Sequence, residues 1–319
     1  MSTIRAIAAD ELEGWLAIDA DDASRDQTGR RIRAAWDDGL AGPRLTFIAE
    51  DPQGRPLGRL AYLPNPVASV MPDIHEALIY GLWLDWSDPG SVEIGRQLVE
   101  ASLPALPGSV IAVDGYANPA YMEGAGIRRA VFEAAGQPLF QEKEGFLWTP
   151  ATSPASRDAP RRLEFRTVEQ EGPEAYAAVM SRCAVGTLDR NDAYYARLVS
   201  SPRWGPEMLG FLEDEDASSW LLAFEPGGAA AGYVALGSFD EPGRGTIIHI
   251  GVVPELRGRG HVTELLAACN AAALRRGFDR VLSDIDVENA PMAAALERAG
   301  HRAAATDWHV HHHRLEIGG

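Results

Sequence analysis

Cysteine is nearly absent: Cys183 and Cys269 are the only two, and both fall in segments that read as helices. One pair separated by most of a domain is neither a disulfide framework nor a zinc motif, so reduced thiols are expected. Long apolar runs are missing as well. No stretch approaches the ~18–20 uninterrupted apolar residues of a membrane helix, and no membrane partner is expected. The opening MSTIRAIAADELEGW has no basic segment ahead of an apolar one. No secretory signal is read there, and the expected location is cytoplasmic. Positive charge is scarce, with 29 Lys and Arg against 46 Asp and Glu and a net charge of −17. That balance excludes non-specific nucleic-acid binding, which needs a basic surface, so no nucleic-acid partner is expected. A field of this sign steers cationic small molecules, although solubility alone also accounts for it.

What is present is ordinary globular composition, with 46% hydrophobic and 24% charged residues over 319 positions. At roughly 100–200 residues per domain, two domains are expected. Thr149–Arg161, TPATSPASRDAPR, is rich in Pro, Ser and Ala and reads as a linker. The expected division is 1–150, a linker at 151–162, and 163–319.

Both halves carry the same element order. In the second, strand Leu163–Thr167 is followed by helices Glu174–Ala184 and Asp192–Val199, then a hairpin of Ser219–Phe224 and Gly232–Phe239. Thr246–Val253, TIIHIGVV, is β-branched and apolar, as a central strand should be. Val262–Arg276 is a long amphipathic helix stopped by Gly277, ahead of strand Val281–Val287, helix Pro291–Ala299 and strand Trp308–Ile317. In the first half the series is Thr3–Ile7, helices Asp10–Ile18 and Thr28–Asp38, and a hairpin of Leu45–Glu50 and Leu57–Leu63. Strand Ala77–Trp86, helix Val92–Ala105, strand Val110–Val113, helix Arg128–Ala135 and strand Phe140–Trp148 complete it. This order, not residue identity, suggests duplication.

One segment carries recognisable chemistry, Thr246–Gly260 with the helix it leads into. Pro254 ends the strand's ladder because it has no N–H. A turn of Arg257, Gly258, Arg259 and Gly260 follows, and His261 and Val262 open the helix. The first N–H groups of a helix have no internal partner, and the aligned peptide dipoles place about half a positive charge there. Glycines allow close backbone approach, and the arginines add permanent charge. This is a site for a pyrophosphate. The P-loop reading fails because His261-Val262 stands where Lys and Ser or Thr are required, and the dinucleotide reading fails for want of a third Gly.

The remaining pattern, V-x-P-E-x-R-G-x-G after an apolar strand, resembles motif A of the GNAT acetyltransferases, Gln/Arg-x-x-Gly-x-Gly/Ala. Arg257 holds its first position, Gly260 its fourth, and Val262 its sixth, where the family usually has Gly or Ala. Asn289 and Leu296-Glu297-Arg298-Ala299-Gly300 resemble the family's next motif, although Asn289 also reads as a helix cap. The resemblance covers Leu163–Ile317. It implies an α/β (α+β) fold of two tandem domains, each a mixed, centrally splayed sheet flanked by helices. It also implies acetyl-CoA as co-substrate and direct transfer of the acetyl group to a primary amine, expected here to be a small molecule. The pantetheine arm is expected to pair with backbone near Val252 and Val253. A backbone N–H of the same strand would polarise the thioester carbonyl.

Catalytic candidates follow from chemistry. An ammonium cannot attack, so a base must take its proton. His249, inside the central strand, titrates in the right range but also reads as a satisfied, partly buried histidine. Asp284 and Asp286 share one face of their strand, at a wet cleft or hydrogen-bonded structurally, and at a cleft they would hold a cationic amine. The family's usual acid is a Tyr; this chain has Leu296 there, with Tyr194, Tyr195 and Tyr233 as substitutes. His309, His311, His312 and His313 lack a Cys or carboxylate at ligand spacing, and no metal is expected. Glu213–Asp216 reads as a solvated turn. In the first half, the matching junction LWLDWSDPGSVEIG holds Asp85 and Asp88 and no arginine, so that half is expected not to bind coenzyme A. It could wall the substrate site, cover the splayed strands, or mediate a homodimer. Two alternatives stay open: a non-catalytic acyl-CoA-binding or regulatory module, and a protein N-acetyltransferase.

Overall fold

The computed structural model of the chain describes residues 2–18, 22–66, 71, 73–119, 122–152, 162–211, 216–238, 242–304 and 309–317. In chain order the elements are β1 (Thr3–Ala6), α1 (Leu12–Leu16), α2 (Asp22–Asp37), β2 (Thr46–Glu50), β3 (Pro56–Pro64), β4 (Glu76–Leu84), α3 (Ser91–Ser102), β5 (Ala112–Ala117), α4 (Ala125–Ala134) and β6 (Leu139–Trp148). There follow β7 (Glu164–Thr167), α5 (Val168–Glu171), α6 (Pro173–Ala184), α7 (Arg190–Val199), α8 (Ser201–Phe211), β8 (Leu221–Phe224), β9 (Ala230–Ser238) and β10 (Arg244–Val252). The last are α9 (His261–Arg275), β11 (Arg280–Asp286), α10 (Ala290–Arg298), β12 (Arg302–Ala303) and β13 (His309–Glu316).

The chain forms two compact units, Met1–Gln141 with Val310–Gly319, and Glu142–His309. In the first unit the strands run in the order β1-β2-β3-β4-β5-β13, and in the second β7-β8-β9-β10-β11-β6. Each unit has one parallel pair, β4–β5 and β10–β11, among antiparallel neighbours. In each, that pair is joined over only three residues. Glu76–Leu78 pair with Ala112–Asp114, and Arg244–Thr246 with Arg280–Leu282, after which the strands part. A register shift on the other side of the parting strand accompanies this, near Arg59/Ala61 and Ile247/His249. An extra residue on one side of a ladder bends and twists its strand, which is the local cause of a splay.

The unit boundaries differ from the division at 151–162. From Glu142 onward, β6 belongs with the second unit and pairs with β11, Lys143↔Asp286 to Trp148↔Val281. From Val310 onward, β13 belongs with the first and pairs with β5, His311↔Ala117 to Glu316↔Ala112. Burial accounts for the exchange. Phe146 and Trp148 are buried in the second unit's core with Tyr176, Leu222 and Leu265. Arg314 pairs with Asp114 inside the first. Most of the linker reading, residues 153–161, lies outside the described residues, as do Trp308, Phe239 and Glu213–Glu215.

Amphipathic spacing builds the layers. In α9 the buried apolar positions are Leu265, Leu266, Cys269, Ala272 and Ala273, one stripe of a 3.6-residue period. In the first unit one core cluster gathers Leu60, Leu84, Leu98, Val131 and Phe132, and a second gathers Trp15, Leu16, Ile32 and Leu63. Two helices escaped the sequence reading, the single turn α5 and the longer α8. Ser201–Phe211 contains Pro202, Gly205, Pro206 and Gly210, which read as breakers. Pro202 sits where the helix has no N–H bond to lose. Gly205 is required for packing, since a Cβ there would lie 1.9 Å from the Ala177 carbonyl oxygen.

Candidate functional site

The parting of β10 from β11 and the turn that follows β10 define the site. Val253 N–H donates to Ala231 C=O at 3.0 Å, which makes Val252↔Gly232 a non-hydrogen-bonded pair. The peptide groups of Val252 and, two residues back, Ile250 therefore turn away from β9, toward the side where β11 has parted. The Val252 carbonyl accepts Arg257 Nε at 3.1 Å, leaving its N–H on the open edge. Val253, expected to share in pairing a ligand's arm, has its C=O taken by Leu256 N–H as well. Ile250 and Val252 are the open positions instead.

The turn Arg257–Gly260 is a nest. Gly258 and Gly260 have φ of +77° and +82°, the left-handed region where side chains are strained. Gly260 caps α9, and among the described residues no backbone carbonyl accepts from the N–H groups of Gly258 through Val262. Alternating left-handed residues aim such N–H groups into one concavity, and the helix dipole adds to its positive field. Apart from its own chain neighbours, no described residue places an atom within 4 Å of where a Gly258 Cβ would stand. A pyrophosphate fits this turn on geometry and on charge.

The arginines play different parts. Arg257 donates to the carbonyls of Val252, Gly186 and Cys183, clamping the end of α6 to the end of β10. Its side chain builds the loop. Arg259 is exposed, donating to Glu255 C=O and standing 3.8 Å from Glu225. Two acids near the turn are engaged by cations: Glu264 pairs with Arg162 at 2.7 Å, and Glu255 pairs with Arg182. Arg162 also donates to the Arg259 carbonyl. His261 is buried at the first position of α9, with neither ring nitrogen hydrogen-bonded and Glu225 at 3.8 Å. Val262 packs partly against the core. Asn289 is the cap of α10, its side chain accepting Met292 N–H at 3.3 Å.

Beyond the turn lies a charged group on the side of β10 that faces α7 and α8. His249 is bracketed: Tyr233 Oη is 2.7 Å from Nδ1, and Asp192 Oδ1 is 3.2 Å from Nε2. The Trp204 ring lies 6.2 Å away. Burial disfavours the imidazolium, but Asp192 and Asp189 outweigh it and hold the His249 pKa above its ordinary value. Burial pushes the Tyr233 phenol well above its ordinary range. Asp286 is buried and accepts Arg190 N–H at 2.6 Å. Asp284 is half-exposed and pairs with Lys143 at 3.2 Å. Lys143 also lies 3.4 Å from Asp189. The structure therefore brings His249, Asp284 and Asp286 into one group. It adds Lys143, Asp189 and Asp192, which the sequence reading missed. The available signal was the run Asp189-Arg-Asn-Asp192 at a helix start, since Asp189 caps Asp192 N–H at 2.9 Å.

Leu296, at the acid position, is 1% exposed in the core. Tyr194 and Tyr195 are buried, their rings 5.2 Å apart. The histidine run divides among separate partners. His312 meets Asp114 at 3.1 Å, His313 the Gln137 carbonyl at 3.1 Å, His311 Arg129 at 3.4 Å and His309 Glu142 at 3.6 Å. In the first unit's junction, Asp85 accepts Ser87 N–H at 3.0 Å and Asp88 accepts Gly90 N–H at 2.8 Å. Those carboxylates fill the turn with the chain's own acceptors. Among the described residues no helix is long and apolar enough to cross a membrane.

Comparison with known proteins adds three findings. Residues 188–301 match the model of the Acetyltransferase (GNAT) family. A curated protein of Clavibacter michiganensis subsp. michiganensis named Mycothiol acetyltransferase is 31% identical over 198 residues, covering 55% of this chain and 62% of that protein. A Salinispora arenicola protein of the same name is 35% identical over 106 residues, covering 31% of this chain and 34% of that protein. The chain thus spans about three fifths or less of the curated relatives it matches. Among solved structures, a GCN5-related N-acetyltransferase from Sphaerobacter thermophilus aligns with a TM-score of 0.58 at 20% identity, covering 100% of this chain and 96% of its own. A tandem GNAT protein from the clavulanic acid biosynthesis pathway aligns at 0.56 and 16% identity, covering 100% and 99%. These likenesses establish a tandem GNAT fold over the chain's length.

Proposed function

We propose that this chain, whose residues 188–301 belong to the acetyltransferase (GNAT) family, transfers an acetyl group from acetyl-CoA to the primary amine of a small molecule. The observation that carries this reading is the joining of the nest Gly258–Val262 to the open backbone edge at Ile250 and Val252. The nest suits a pyrophosphate, and the open edge suits an amide-bearing arm laid alongside it. Relatives named for acetyl transfer support acetyl as the group carried.

The residues divide the work. The N–H groups of Gly258–Val262 bind the pyrophosphate, with Arg259 adding charge. The Ile250 or Val252 N–H donates to the thioester carbonyl and stabilises the oxyanion as the amine attacks. Asp284 and Asp286 lend the acceptor end a negative field that gathers an ammonium. The ammonium must lose a proton before its lone pair can form the C–N bond. His249, held between Asp192 and Tyr233, receives that proton directly or through water. The C–S bond breaks with its electron pair on sulfur, and the thiolate leaves without a tyrosine at position 296, as its acidity allows. The first unit takes no coenzyme A, because Asp85 and Asp88 occupy the equivalent turn.

Calorimetry with acetyl-CoA, followed by a free-thiol assay against a panel of amines, tests this. One equivalent bound per chain, lost in Gly260→Asp, with steady thiol release for at least one amine, is expected. Binding without release against every amine would leave a non-catalytic acyl-CoA module. No binding by the unaltered protein would overturn the reading altogether.

A further inference from the structure

The chain has a single lysine, Lys143. It sits on β6 opposite Asp286 of β11, with its Nζ between Asp284 of β11 and Asp189 at the start of α7. A lone cation among carboxylates could be an incidental surface pair. Three observations argue against that. Lys143 is only 24% exposed, and its ammonium is held well above the usual lysine range: burial opposes the charge, but Asp284, Asp189 and Asp192 together outweigh it. The Asp189 carboxylate is split between two tasks, Oδ2 on Lys143 and Oδ1 capping Asp192 N–H. Asp192, one helical turn on, is the residue that meets His249 Nε2.

We propose that Lys143 is a positioning residue for His249: its ammonium ties the first turn of α7 to β11 and thereby keeps Asp192 against the imidazole. The tie matters because α7 and β11 share no backbone ladder. Beside it, Arg190 N–H donates to Asp286. The groups that face His249 come from four elements. Asp189 and Asp192 come from α7, the Tyr233 phenol from β9 and Lys143 from β6, while α8 contributes the uncharged Trp204 ring. The role in the reaction rests on His249 serving as proton acceptor, as proposed above. The geometric tie does not.

The two possible roles of Lys143 predict opposite signs. As a mere nearby cation it repels the imidazolium, so removing it would raise the His249 pKa. As a tether it holds Asp192 in place, so removing it frees Asp192. Burial then dominates, and the pKa falls. The experiment is an NMR titration of His249 in the full chain, with the resonance assigned by His249→Gln, in wild type, Lys143→Met and Lys143→Arg. The expected result is a midpoint about one pH unit or more lower in Lys143→Met and near wild type in Lys143→Arg. On the acyl-transfer reading, Lys143→Met also loses about tenfold or more in kcat with KM for acetyl-CoA unchanged, and Lys143→Arg restores it. A raised midpoint, or an unmoved one, in a folded Lys143→Met overturns the proposal. If Lys143→Met does not fold, Asp284→Asn cuts the β11 end of the tie while leaving Asp189 and Asp192, the charges that act on His249 directly, in place, and the same fall is required of it. Were no amine ever acetylated, the titration would still decide the tether, so the failure of one reading is distinct from the failure of the other.

Discussion

Cutting the chain at its apparent linker should not release a working second domain. Residues 163–319 would lack β6 and carry β13 without its partner β5. The loss can be sized from the ladder. Six residue pairs join β6 to β11, Lys143↔Asp286 to Trp148↔Val281. At about one hydrogen bond per pair and ~1 kcal/mol net for each, the ladder contributes roughly 6 kcal/mol. Phe146 and Trp148 are 2% and 0% exposed, and burying such side chains adds ~2 kcal/mol apiece. Together about 10 kcal/mol is removed, comparable to the 5–15 kcal/mol that holds a whole domain. Residues 139–309, which keep β6 and omit β13, retain every one of these contacts. Urea unfolding followed by far-ultraviolet circular dichroism, with two-dimensional NMR for dispersion, compares the two fragments. Fragment 139–309 is expected to unfold cooperatively and 163–319 to show no native baseline. A cooperative transition for 163–319 with a midpoint matching that of 139–309 would refute the exchange of strands.

Other consequences are as direct. Gly260→Asp places a carboxylate in the nest at a φ of +82° and should abolish acetyl-CoA binding by calorimetry. Gly258→Ala meets open space and only the strain of φ +77°, costing ~1 kcal/mol of stability and weakening binding far less. The raised His249 pKa places the acid limb of kcat/KM above the ordinary value of about 6.5, and His249→Gln should remove that limb from the pH profile. The sign for stability runs the other way. The charged His249–Asp192 pair stabilises fully below the ordinary histidine pKa, and this contribution is lost as pH rises through the raised folded value. In the first unit, Arg314→Met leaves Asp114 and Glu76 buried without their main cation and should cost about 3–5 kcal/mol, read as a lowered Tm. Burial pushes the thiols of Cys183 and Cys269 up to about 12, so neither should be alkylated at neutral pH before unfolding.

Local chemistry was legible in the sequence and long-range partnership was not. Pro254, Gly258 and Gly260 announce a strand end, a left-handed turn and a helix start because each acts on its own backbone. The positions of nearly every strand follow from β-branched runs between turns for the same reason. The partner of a strand, by contrast, is chosen by distant edges. Phe140–Trp148 reads as a strand in either unit, and only the burial of Phe146 and Trp148 beside Tyr176 decides between them. Arg257 was legible by position but not by role, since the carbonyls of Cys183 and Gly186 that claim it lie some seventy residues upstream. Lys143 was invisible as a site residue because its partners, Asp189 and Asp284, gather only when β6 crosses to β11.

The two units diverge at matching places, and burial explains what each can do. Both have a parallel pair that parts after three residues, and both set charges near the parting. In the first, Arg314 meets Asp114 at 2.7 Å and Glu76 at 3.4 Å, His312 meets Asp114, and all of these side chains are 3% exposed or less. A sealed cluster of this kind can hold strands in register, at a desolvation cost its internal pairing must offset, but no substrate reaches it. In the second, His249, Asp192, Lys143 and Asp284 are 15%, 19%, 24% and 42% exposed. His249 and Lys143 are dry enough to be tuned by their neighbours, and His249 keeps enough exposure to exchange a proton. The turn that follows makes the same distinction, filled by Asp85 and Asp88 in one unit and left with free N–H groups in the other. An ancestral pair of equal domains would thus have kept the fold twice and the chemistry once. Asp88→Gly with Asp85→Arg tests how far the first unit's turn has closed. If its own carboxylates are what exclude a pyrophosphate, the double variant should gain measurable affinity for acetyl-CoA at a second site. If calorimetry still counts one site per chain, then Trp86, whose ring lies against Gly124 and under Arg128, is what fills the space.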